Sequence, residues 1–162
     1  MKTIKQRLRL CGYSFFVAAS LFACSTPRAH GLADQKNQST SIQTIQAIDR
    51  LRIILYSDEC FNRDAGLLNT CSQSLRRLLP LIVSYGHGPI QIVGYTDDVF
   101  DAAMAQQRSQ CQADSVRAYL CSLGISPRRL QAIGYGDHDS LASNRSIAAS
   151  AANRRVEIRL AK

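Results

Sequence analysis

Residues 154–160 alternate almost without a break, with Val156, Ile158 and Leu160 on one side and Arg155, Glu157 and Arg159 on the other. Successive strand residues point to opposite faces, so this run demands a sheet with one buried and one wet face. The chain must then supply apolar cover for that single face, and two stretches have the right period. Leu67, Leu68, Cys71, Leu75, Leu78, Leu79, Ile82 and Val83 follow the i, i+3, i+4, i+7 spacing of an amphipathic helix. Pro80 is expected to kink this helix or end it near Leu79. Residues 101–123 predict a second helix, with Ala113, Val116, Leu120 and Leu123 inward and Gly124 as its stop. Short apolar, β-branched runs at residues 51–56, 90–95 and 129–134 supply the other strands. The order β-α-β-α-β-β is that of an α+β two-layer sandwich, with helices packed on one face of a four-stranded mixed sheet.

At 162 residues the chain has room for one such domain plus appendages. A content of 46% hydrophobic and 20% charged residues argues against a disordered chain or a polytopic membrane protein. The net charge of +8 would suit nucleic acid, but Lys2, Lys5, Arg7 and Arg9 crowd the first nine residues. Without them the balance falls to +4, so no nucleic-acid partner is expected.

Those four cations precede an apolar run from Leu10 to Ala23, about the length of an export signal and too short to span a bilayer. It closes on Leu21-Phe22-Ala23-Cys24, which resembles the bacterial lipobox, although Phe22 is bulkier than the usual residue. The resemblance implies cleavage after residue 23 and lipidation of Cys24, and Ser25 after the Cys implies the outer membrane. Acyl chains contribute about 0.8 kcal/mol per buried CH₂, so such an anchor would be effectively permanent. Residues 24–47, rich in Ser, Thr, Gln and Asn, read as the lipidated end and a tether. Ile42, Ile45 and Ile48 recur every three residues and allow a short-lived helix there. The folded domain is thus expected over residues 48–162, facing the periplasm.

Chemistry-bearing constellations are sparse. His30, His87 and His138 lack a partner at ligand spacing, and no cysteine pair has structural-zinc spacing. No nucleophile elbow, phosphate loop or dinucleotide fingerprint occurs, so neither metal, cofactor nor catalysis is expected. Apart from Cys11 and Cys24, four cysteines remain: Cys60, Cys71, Cys111 and Cys121. Cys111 and Cys121 lie roughly 15 Å apart along one predicted helix, beyond the ~7 Å Cα limit for a bridge. Two disulfides would therefore pair Cys60 with Cys111 and Cys71 with Cys121, or Cys60 with Cys121 and Cys71 with Cys111. The other reading leaves some of them as buried free thiols.

Ile90-Gln91-Ile92-Val93-Gly94-Tyr95-Thr96-Asp97 resembles the strand-and-loop signature of the OmpA C-terminal domain family, which includes the peptidoglycan-associated lipoprotein and MotB. The pattern continues through Ser109, Ala113, Val116, Leu120, Leu123-Gly124, Gly134-Tyr135-Gly136-Asp137, Asn144 and Asn153-Arg154-Arg155-Val156-Glu157-Ile158. The resemblance implies non-covalent binding of peptidoglycan through the diaminopimelate of its stem peptide. A zwitterion needs an anion for its ammonium, a role that falls here to Asp97 beside Thr96. Its carboxylate needs helix N-terminal amides and a cation. The family's Arg, sixteenth in a count starting at the Asp, is Gln112 here. Ala105 stands where an Asn is expected, and Ala149-Ser150 where Gly-Arg is usual. Arg108 lies one turn before Gln112 on the same face and is the candidate stand-in, with Arg154 and Arg155 as further ligand-side candidates.

Two functions follow. In one, an outer-membrane lipoprotein anchors an envelope complex to peptidoglycan. In the other, a degenerate domain binds protein partners within a secretion apparatus, since a short lipoprotein of this kind also resembles the small OmpA-like lipoproteins of type IVB (Dot/Icm) systems.

Overall fold

The computed structural model describes residues 41–162; the export signal, Cys24 and most of the expected tether lie outside them. Five strands form one sheet: β1 (Ile42–Gln46), β2 (Arg50–Tyr56), β3 (Ile90–Tyr95), β4 (Leu130–Gly134) and β5 (Arg155–Ala161), in the order β1-β2-β5-β3-β4. β3 and β4 are parallel and the other pairings antiparallel. The helices are α1 (Ser57–Cys60), α2 (Asn69–Ser84), α3 (Ala102–Ser122) and α4 (Ile147–Asn153). The sequence order is therefore the expected one, with an added strand at its start.

That strand, β1, corrects the expected boundary at residue 48. Ile42–Gln46 forms a hairpin with β2 in the register Ile42–Leu55 to Gln46–Leu51, closed by Ala47 N–H donating to the Arg50 carbonyl at 2.8 Å. The three-residue recurrence of isoleucine masked a strand, because β1 is stabilised by its ladder and not by an apolar face of its own.

The core lies on one face. Leu51, Ile53 and Leu55 of β2, Ile90 and Ile92 of β3, and Val156, Ile158 and Leu160 of β5 meet Cys71, Leu75 and Ile82 of α2 and Ala113, Val116 and Leu120 of α3. Each such aliphatic burial is worth about 1.5–3 kcal/mol. α2 runs through Pro80 to Ser84, contrary to the expected stop. Pro80 sits on the solvent side, where water can take the Arg76 carbonyl that loses its donor, while Leu75 and Ile82 hold both halves on the core.

Two glycines fix α3 against the sheet. A Cβ on Gly94 would lie 2.1 Å from the Ser109 carbonyl oxygen, and one on Gly134 2.5 Å from the Gln110 nitrogen. The close approach sets the N-terminal half of α3 beside the end of β3. Asp101 caps the helix, accepting from Met104 N–H at 2.8 Å.

Among the described residues the cysteines form a single bridge, Cys60–Cys71, with Cα atoms 5.3 Å apart. Neither two-bridge pairing occurs, and Cys111 (exposed) and Cys121 (part-buried) are free thiols. The reading that left some of the four as free thiols is the one that fits Cys111 and Cys121, although Cys111 is exposed and not buried. α2 carries Cys71 back beside Cys60, a proximity that residue spacing does not show. None of the described helices is long and apolar enough to cross a membrane.

Candidate functional site

Three chain segments converge because of one row of the sheet. Tyr56, Arg155 and Tyr95 are cross-strand partners at the ends of β2, β5 and β3. The residues just beyond that row, Ser57 and Asp58 after β2, Thr96 and Asp97 after β3, and Arg154 before β5, therefore emerge at one place. Ser57 N–H donates to the Arg154 carbonyl at 2.9 Å, and Thr96 N–H to the Gly136 carbonyl at 2.7 Å.

Arg154 ties the carboxylates together. Its Nε and Nη2 donate to Asp58 Oδ1 and Oδ2 at 2.8 and 2.5 Å, and its Nη1 donates to Asp97 Oδ2 at 2.5 Å. The fork geometry suits a guanidinium and not an ammonium. The Arg154 hydrogen bonds and charge hold the Asp58 carboxyl below its ordinary pKa. The hydrogen bonds that Arg154 donates to Asp58, first, and to Asp97 push its pKa up despite burial. Asp97 is only 2% exposed. Its Oδ1 and the Thr96 hydroxyl are the buried side-chain polar atoms left without a partner among the described residues. Such atoms are uncommon and expensive, costing about 1–3 kcal/mol each.

Beside this junction opens a cavity of about 120 Å³, roughly four water volumes. Ser57, Asp58, Phe61, Asn62 and Arg63 line one side, Tyr95, Thr96 and Phe100 another, and Arg108, Gln112 and Arg154 complete the wall. A shallower depression of about 210 Å³ shares Arg63, Phe100 and Arg108 and extends it along α3.

Thr96, Asp97, Arg108, Gln112 and Arg154 are thus brought to one site. Gln112 is buried, and its Oε1 accepts from Ser57 Oγ at 3.0 Å, so it props the α1 turn. Arg108 donates to the Arg63 carbonyl at 3.2 Å and lies over the Phe100 ring, 5.7 Å from its centroid. It forms no ion pair among the described residues. That leaves a cation on the cavity wall with its charge unspent.

Arg155 is not part of the site. Strand alternation turns it to the helix-free face, where its Nε donates to Glu157 Oε1 at 2.7 Å and its guanidinium stacks 3.9 Å from the Tyr95 centroid. Glu157, 1% exposed, also meets Arg159 at 2.8 Å and Arg52 at 3.6 Å. Burial pushes the Glu157 carboxyl up, but the hydrogen bonds and charges of Arg155 and Arg159 outweigh it and hold the pKa below the ordinary value. Asn153 is a structural clamp, accepting from Leu141 and Ala142 N–H and donating to the Ala142 carbonyl and Asn144 Oδ1. Asp58 and Ser57 were missed from sequence. Asp58 lies 96 residues from Arg154 and looks no different there from Glu59 or Asp64; only the cross-strand register singles it out.

Residues 61–154 match the OmpA family. Outer membrane porin F of Pseudomonas fluorescens is 35% identical over 83 residues, covering 51% of this chain and 26% of the porin. The Escherichia coli protein named Probable lipoprotein YiaD is 26% identical over 126 residues, covering 77% of this chain and 58% of that protein. The chain thus spans from a quarter to somewhat over half the length of these relatives. Among solved structures, the cell wall anchor of the T6SS from Pseudomonas aeruginosa superposes with a TM-score of 0.64 at 25% identity, covering 75% of this chain and 88% of that one.

Proposed function

Since the chain belongs to the OmpA family, as the match over residues 61–154 shows, we propose that it anchors an envelope complex to peptidoglycan by gripping the diaminopimelate end of the stem peptide. The observation that carries this reading is the pair of buried, unpartnered atoms Asp97 Oδ1 and Thr96 Oγ1, Thr96 lining the cavity and Asp97 bonded to the cavity-lining Arg154. A carboxylate oxygen and a hydroxyl left unpaired there suit an incoming ammonium, which brings the missing donors. The ligand carboxylate then falls to Arg108, whose charge no carboxylate takes, in place of the family Arg that Gln112 replaces.

The T6SS protein is named as a cell wall anchor, and the reading extends that role to this chain. Cys24, lipidated after export, would hold the other end in the outer membrane, with the domain in the periplasm. In this mechanism the protein only binds and orients. Asp97 supplies the anion, and Arg154 holds Asp97 and Asp58 in place. Phe61 and Phe100 exclude water around the polar head.

The test is co-sedimentation of residues 25–162 with purified diaminopimelate-type sacculi, beside Asp97→Ala and Gln112→Arg variants. Wild type pellets, and Asp97→Ala loses a charge-assisted contact of about 1.5–3 kcal/mol, a ten- to hundredfold drop in affinity. A wild type that stays in the supernatant while Gln112→Arg pellets would show a relic site and favour protein partners of a secretion apparatus.

A further inference from the structure

The two edges of the sheet are treated differently. Along β4 the residues facing outward are Leu130, Ala132 and Gly134, because Tyr135 N–H is already given to the Gly94 carbonyl on β3. Every one of their carbonyls is taken by an α3 side chain: Leu130 by Arg117 Nε, Ala132 by Gln110 Nε2 and Gly134 by Gln106 Nε2. Gly134 N–H in turn donates to Gln110 Oε1. The β4 edge is plugged.

The β1 edge is open. Tyr56 N–H donates to the Ser41 carbonyl and Ala47 N–H to the Arg50 carbonyl, so residues 41, 43, 45 and 47 turn their amides and carbonyls toward β2. Ile42, Thr44 and Gln46 turn theirs outward, where no described strand pairs with them. The burial pattern of β1 is mostly exposed, Ile45 being 46% exposed. Soluble proteins blunt such edges with charge, proline, a bulge or a cover, and residues 41–48 contain neither charge, proline nor glycine.

We propose that the β1 edge pairs with β1 of a second copy of this chain, antiparallel about a two-fold axis at Thr44. In that register Thr44 faces its own mate and Ile42 faces Gln46. All three outward residues of each copy become hydrogen-bonded pairs, with no overhang. Ile45 becomes the diagonal neighbour of its mate on the helix-free face, near enough for side-chain contact. Both sheets join into one with all helices on the same side. A second copy fits better than an unrelated peptide because the segment is self-complementary in both polar groups and charge. Because α3 plugs β4, assembly closes at two copies and does not propagate.

The test uses the full chain in detergent. Light scattering gives the mass of two polypeptides for wild type and of one for Thr44→Pro, which removes an outward N–H that β2 never uses, so the hairpin is retained. In a chain carrying Cys111→Ser and Cys121→Ser, Thr44→Cys links into a covalent dimer on mild oxidation. Opposed strand residues of this type sit ~5.5 Å apart at Cα, within disulfide reach. Ile48→Cys is the control, since Ile48 is 94% exposed but lies roughly 27 Å from its mate in this register. A single-chain mass for wild type, a dimer that survives Thr44→Pro, or linking through Ile48→Cys as efficient as through Thr44→Cys would each overturn the proposal.

Discussion

The decisive residues are those whose charge is committed and those whose charge is not. Arg154 is spent on Asp58 and Asp97, whereas Arg108 has only a carbonyl and a ring. Arg154→Ala should therefore cost binding indirectly by freeing Asp97, and should also lower stability, because the buried Asp97 side chain loses the hydrogen bond it accepts from Arg154. Arg154→Lys should rescue only part of either, since an ammonium cannot bridge both carboxylates. Arg108→Ala should weaken sacculus binding while leaving the thermal midpoint close to wild type. Glu157 makes a sharper stability case. Glu157→Gln strands the buried Arg155 beside Arg159, and denaturant unfolding should show a loss of about 3 kcal/mol. The folded-state pKa of Glu157 is depressed, so its contribution is complete above the unfolded value of about 4.3 and lost as pH falls through the folded one. Asp58, also depressed, acts in the same direction. Wild type should lose stability below about pH 4, and Glu157→Gln should lose less over that range.

At the scale of elements, much of the fold was legible because period and burial agree. Val156, Ile158 and Leu160 read as the apolar side of a strand and are, whereas the other side, expected to be wet, is covered too, with Arg155 and Glu157 buried. The inner face of α3 was found from Ala113, Val116 and Leu120. What escaped depends on partners distant in sequence. β1 has no apolar alternation and exists through pairing with β2. Pro80 does not end α2, because core contacts on either side outweigh one lost hydrogen bond. Of the two readings of the four cysteines, the two-bond one paired Cys60 and Cys71 with α3, and the free-thiol one named no bridge, so neither showed the Cys60–Cys71 bond. It closes a loop spanning a sequence separation of 11 that carries the Phe61–Arg63 wall of the cavity. Cys71→Ser should cost about 2–3 kcal/mol on the loop-entropy account, and should weaken ligand binding as that wall loosens. Gly94→Ala is more severe, because backbone stands where the new carbon would go. It should displace α3 and lower stability by about 3 kcal/mol or more.

At the scale of the whole molecule, the sheet places its functions at different borders. The row Tyr56–Arg155–Tyr95 gathers the candidate-site residues at one end of the strands, α3 closes the β4 edge, and β1 lies unpaired on its outer side among the described residues. The family resemblance pointed to Asp97 from the sequence, and the structure buries it against Arg154, next to Thr96, which lines the cavity. It did not point to Asp58 or separate Arg154 from Arg155, because adjacent strand residues differ only in the face they take. The account rests on a zwitterion-binding cavity, and its most direct measurement is a titration of the isotope-labelled domain with a soluble muropeptide ending in diaminopimelate, followed by two-dimensional NMR. The account predicts saturable shifts concentrated on the amides of Thr96, Asp97 and Asp58 and the guanidinium of Arg108, absent in Asp97→Ala. Shifts scattered over the surface, or none at millimolar ligand, would contradict it.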